Sequence, residues 1–170
     1  VGRPGRWLAF TSVISTLSVV LIFFGVSNGV LLVTFIYVFV AAVELVGRWF
    51  AHLARGRFHH ASIAASPAVR GERCIGWVAH YVVGVTFAGL LLAVWGLQWV
   101  RQPTIGPALL VGIGTVAAPF LIMQPGMGAG VAASCTPRPA AARLQSLVTH
   151  TIFGLGLYAA GWVARLHYVS

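Results

Sequence analysis

Apolar residues run almost unbroken through five parts of the chain, roughly 7–25, 29–46, 74–96, 107–123 and 147–163. Each is about as long as the 17 to 25 residues that carry an α-helix across a bilayer core. Spanning strands would instead show short alternating segments, which these stretches lack, so the pattern predicts helices. Ser27, Asn28 and Gly29 separate the first two stretches, and Asn-Gly is a strong turn signal. The expected fold class is all-α: a single integral membrane domain over 1–170, a multi-pass transmembrane helical bundle of about five spanning helices.

Composition agrees with the pattern. Hydrophobic residues make up 59% and charged residues 8%, with a mean hydropathy of +0.91. Soluble domains carry about 25% charged residues. All 11 basic residues are arginine, and the only acids are Glu44 and Glu72. Such an excess could suit nucleic acid, but the positions point elsewhere. Nine arginines fall on one side of the expected spans: Arg3, Arg6, Arg48, Arg55, Arg57, Arg70, Arg73, Arg138 and Arg143. Two, Arg101 and Arg165, fall on the other. The positive-inside rule then puts the N-terminus in the cytoplasm and the C-terminus outside. Topology accounts for the charge, and nucleic acid is not an expected partner.

Between the second and third stretches, Trp49, Phe50 and Leu53 stand among Arg48, His52, Arg55 and Arg57. This predicts an interfacial segment over 47–66, lying at the headgroup level and touching anionic lipid through Arg48, Trp49, Arg55 and Arg57. Ser66–Gly84 and Thr136–Gly154 align at an offset of 70 residues, sharing [ST]-P-x5-R-x2-[GS]-x-V-x-H-x3-G. Ser66-Pro67 and Thr136-Pro137 read as helix starts. Gly76, Gly84, Ser146 and Gly154 read as small helix-packing positions. Together they suggest a two-helix parallel repeat about an axis along the membrane normal.

Polar groups inside spans are functional candidates by default, here Glu44, His80 and His150. Three roles compete: holding neighbouring helices by hydrogen bonds, forming a proton or solute path, and ligating haem or a metal. The first is favoured. His52, His59 and His60 read as surface residues, and Cys74 and Cys135 as unpaired small side chains. No catalytic motif is present, so no enzyme, cofactor or metal centre is expected. The glycines at 126, 128 and 130 do not form a dinucleotide loop, because Val131 stands where a third glycine or alanine is needed. Without lysine the chain has no P-loop. Those glycines instead predict a tight, partly buried backbone at the cytoplasmic membrane face.

The blocks "VGRWFAHLARGRF", "RGERCIGWVAHY", "TVAAPFLIMQPGMGAGVAAS" with "TPRP", and "LVTHTIFGLGLY" closely resemble the bacterial membrane family known as domain of unknown function 2938. The resemblance covers about Val46–Tyr158; the first 45 residues fit less well. It implies a multi-pass protein of the bacterial cytoplasmic (inner) membrane, with no assigned activity. The expectation is a non-enzymatic accessory or structural subunit contacting membrane lipids and other membrane chains, or self-associating. A small transporter or proton-coupled channel using Glu44, His80 and His150 is the alternative, and a haem- or metal-binding protein the second.

Overall fold

The computed structural model describes the backbone of residues 28–169 and the side chains of residues 37–166. Every regular element among them is helical. In chain order these are α1 (Asn28–Leu53), a 3-10 turn (Ile63–Ala65), α2 (Glu72–Trp95), α3 (Gln98–Arg101), α4 (Ile105–Gly114), a π-helical stretch (Pro119–Met123), α5 (Gln124–Gly126), a 3-10 turn (Val131–Ala133) and α6 (Pro139–Val169). Glu72–Trp95, Ile105–Gly126 and Pro139–Leu166 are long and apolar enough to cross a membrane. Their mean hydropathies are 1.9, 2.0 and 1.4, yet only 6%, 22% and 11% of each apolar window is buried within the chain. Apolar helices left this bare need lipid or other helices around them. The expected first span, 7–25, lies outside the described residues.

Several boundaries differ from expectation for clear local reasons. The second stretch does not stop at Val46, because nothing in Val46–Leu53 breaks a helix. α1 continues until Gly56, whose φ is +76°. There Gly56 N–H donates to Leu53 O and Arg57 N–H to His52 O. These two bonds are those of a Schellman motif, which needs a left-handed residue at that place. The expected interfacial segment is therefore, in its first part, the last two turns of α1. Nor do Ser66 and Thr136 cap helices. Their hydroxyls donate to Ser62 O and Ala133 O, and α2 and α6 begin later, at Glu72 and Pro139. Glu72 accepts the Val69 N–H at 2.9 Å, which fixes the turn just ahead of α2.

The described chain divides into two compact units. One holds 28–57 and 62–79, the other 58–61 and 80–169, so α2 runs from one into the other. In the first unit α1 meets α2 at Gly47 and Gly76. A methyl group at Gly47 would overlap Glu72 O, and one at Gly76 would overlap Val43 O. Phe39 and Trp77 meet edge-on beside the crossing, 5.8 Å between centroids.

In the second unit, Leu91, Trp99, Val100, Ala108, Val111 and Leu157 form the buried cluster. α4 and α6 pack with no side chain between them: a Cβ at Gly112 would lie 2.5 Å from Gly154 Cα and 2.8 Å from His150 O. The span Ile105–Gly126 is irregular rather than α-helical throughout. Proline has no N–H, so Pro119 gives nothing to Thr115 O, which instead accepts from Ala118 N–H at 3.1 Å. The helix tightens there and then widens into the π-helical stretch. It ends at Gly126, not at Gln124-Pro125.

Gly112→Leu is expected to lower the stability of the detergent-purified chain by about 3 kcal/mol, the upper part of the usual overpacking range. Gly84→Leu, with open space where its Cβ would go, should leave it unchanged or raise it by up to about 1 kcal/mol, since glycine is a poor helix former. Thermal unfolding of the two variants side by side checks this.

Candidate functional site

The most concentrated polar chemistry lies at the α1–α2 crossing. Glu44 and Arg48 stand one turn apart on α1, and Glu72 and Arg73 open α2. Arg48 Nε donates to Glu72 Oε2 at 2.8 Å, and Arg48 Nη2 to Glu72 Oε1 at 2.7 Å. Its remaining nitrogen, Nη1, points at three carbonyls, those of Ile63, Ala64 and Ser66, at 3.4, 3.4 and 3.2 Å. The pair is largely buried, with side chains 14% and 15% exposed. A guanidinium keeps its proton at any ordinary pH. Arg48 is therefore a fixed cation. Arg73 makes the second pair, with Glu44, at a more open position where the side chains are 70% and 30% exposed.

This differs from the expected lipid contact. Arg48 is turned inward to Glu72, and Trp49 is only 4% exposed, stacked edge-on with Phe50 at 5.1 Å. Arg55 and Arg57 are exposed, as a lipid-facing role requires. His52 and His60, read as surface residues, are each 4% exposed. His52 Nε2 lies 3.2 Å from Pro67 O. His59 is exposed. Both acids stand out in the sequence, but the partner of neither does. Glu72 and Arg48 are 24 residues apart and Glu44 and Arg73 are 29 apart, and no local spacing rule reaches that far.

The second unit holds the glycine loop. Gly126 is buried, and its carbonyl accepts from His60 N–H at 2.9 Å. Gly128, at φ +89°, lies so close to His60 O and Ala61 O that a Cβ would overlap both. This is a tight, partly buried backbone, and its glycines are needed for contact and conformation. Ala132 and Ala133 also take positive φ, +47° and +60°, a conformation that costs alanine on the order of 1 kcal/mol. Arg143 Nε holds that turn through Ala132 O at 2.7 Å. A cavity of 280 Å³ between the loop and His59–Ala61 is lined by Cys135 and Val131.

The intramembrane candidates fall in different units. Glu44 belongs to the first unit, and His80 and His150 to the second. His80 is exposed on α2, beside Tyr81 at 5.9 Å. His150 is half-buried, its Nδ1 2.9 Å from Ser146 O one turn back in the same helix. The 70-residue repeat does not extend to these contacts. Gly76 packs on Val43, while its counterpart Ser146 accepts from Gln124 Nε2 at 3.3 Å. Gly84 faces open space, while Gly154 packs on Ala108. Among the described residues no group of three or more His, Cys, Asp or Glu is placed to hold a metal ion.

Residues 19–164 match the family model described as "Protein of unknown function (DUF2938)". The chain belongs to that family. The match reaches well upstream of Val46, where the resemblance in the sequence began, so the DUF2938 region includes all of α1 and with it Glu44 and Arg48. Neither curated proteins nor solved structures give a match.

Removing the Glu72 charge by Glu72→Gln leaves Arg48 half-paired in a mostly dry place. The expected cost is about 3 kcal/mol, near the range for broken buried pairs. Glu44→Gln at the open pair should cost less than about 1 kcal/mol. In a double-mutant cycle, Arg48→Met with Glu72→Gln should fall well short of the sum of the single losses. Chemical denaturation in a fixed detergent measures all four variants.

Proposed function

We propose that this DUF2938 protein is a non-enzymatic, multi-pass component of the bacterial cytoplasmic membrane. It acts by contact with other membrane chains or with a second copy of itself. Its N-terminus lies in the cytoplasm, as the nine-to-two placement of arginines favours. The first stretch and α1 then add two spans to the three apolar helices, making five.

One observation carries the reading. The three apolar helices bury little of themselves within the chain, and the closest approach of α4 to α6 is backbone to backbone, at Gly112 and Gly154. Large apolar side chains remain on the outside: Val85, Leu110, Leu121 and Leu166 are 71%, 65%, 62% and 69% exposed. Packing between helices is what drives association inside a membrane, and these faces are available for it.

A second reading, passage of a small solute or proton, draws on the irregular span Ile105–Gly126. Discontinuous helices at such depth line pathways in transporters.

Gentle extraction and native-size analysis test the first reading. The expected result is a species larger than one chain, or a membrane protein that co-purifies in fixed ratio. A monomer with no companion in several mild detergents would sink it. Flux across vesicles containing the purified chain, lost on His80→Ala or His150→Ala, would favour the second instead.

A further inference from the structure

The chain has 11 arginines and two carboxylate side chains. The first unit uses both carboxylates internally, Glu72 on Arg48 and Glu44 on Arg73. No acidic side chain is left anywhere in the sequence for the remaining arginines. Three of these belong to the same unit: Arg55, Arg57 and Arg70, all exposed.

Their backbone places them together at one end of the helix pair. Arg55 and Arg57 sit on the turn that closes α1, where both N–H groups donate to His52 O. Arg70 directly precedes Gly71 and Glu72, which open α2. The Arg48–Glu72 pair ties that end of α1 to that start of α2. The same Arg48 holds the intervening connection by its carbonyls. Arg48 thus does not bind a ligand itself but fixes the frame on which three other guanidinium groups are displayed.

We infer that Arg55, Arg57 and Arg70 form a site for the phosphate of an anionic phospholipid headgroup. The inference rests on the membrane reading above and names one of its partners. Guanidinium is the side chain best matched to phosphate oxygens, through paired N–H donors. A lipid fits better than an acidic protein because the site lies where an apolar helix begins. On the first two turns of α2, Val78 is 58% exposed and offers a surface for an acyl chain. This sharpens the sequence reading: Arg55 and Arg57 stay, Arg48 and Trp49 leave, and Arg70 joins.

The test uses the full chain in phosphatidylcholine nanodiscs, with and without phosphatidylglycerol, and separately with inorganic phosphate. Lipid retained on the chain is counted by native mass spectrometry, and thermal stability is followed in parallel. Preference for phosphatidylglycerol should be roughly a hundredfold at low salt, from three surface cations, and should shrink as salt is added. Arg55→Gln with Arg57→Gln and Arg70→Gln should bring it close to one. Arg101→Gln should leave it unchanged. The inference is overturned if phosphatidylglycerol and phosphatidylcholine bind alike, or if the triple variant keeps the preference. It is also overturned if inorganic phosphate alone gives the full stabilisation, which would mark a soluble anion site. Loss of a co-purifying protein in the triple variant, with lipid preference intact, would assign the arginines to a protein partner and equally overturn it. Lipid preference can be read on a monomer, so its failure is separate from that of the proposed contact role.

Discussion

The first unit depends on one guanidinium. Arg48 uses all three nitrogens, two on the Glu72 carboxylate and one on a set of carbonyls from the connection. An arginine is suited to this because its donors form a rigid fork that meets a carboxylate at two points. The arrangement is only possible because the helix backbones come close. Gly47 and Gly76 let α1 and α2 approach until there is no room for a methyl group at either position. Charge pairing and glycine contact therefore support each other: the short distance makes the pair geometrically good, and the pair holds the distance.

The second unit reaches the same closeness without charge. Gly112 and Gly154 touch across α4 and α6, and large apolar side chains are pushed to the periphery or into the cluster around Trp99. Trp99 Nε1–H, the polar edge of that cluster, donates to Thr104 O at 3.1 Å. In water such a thin interface would be weak. In a bilayer it is an ordinary solution, because helices gain from close packing rather than from escaping solvent.

Much of the fold was legible because the bilayer imposes a length on apolar runs. The stretch 74–96 corresponds to α2 within two residues. The turn glycine at 56 is visible in "LARGRF", yet the composition of 47–66 reads as an interfacial segment rather than as the end of α1. Trp49 shows why. An aromatic among arginines has the composition of a headgroup anchor, and only the tertiary fold turns it inward. The Ser-Pro and Thr-Pro pairs misled in a similar way, since their hydroxyls are spent on upstream carbonyls. The left-handed alanines 132 and 133 carry no sequence signal at all. They are imposed by the docking of the glycine loop and the hold of Arg143 on Ala132 O.

The apparent repeat shows how sequence and structure can part. His80 and His150 occupy equivalent places in the alignment, each seven residues after an arginine. Those arginines already do different work: Arg73 meets a carboxylate and Arg143 a strained backbone carbonyl. The chain has only two acids, both in the first unit, so a second copy of the ion-paired crossing cannot be built. The second unit closes instead through Gly112, Gly154 and the Gln124–Ser146 hydrogen bond. Neither acidic side chain of the sequence lies in the second unit, where Arg101, Arg138, Arg143 and Arg165 stand. A chain so short of acids must balance its charge with groups outside itself, which is the role proposed for lipid at Arg55, Arg57 and Arg70.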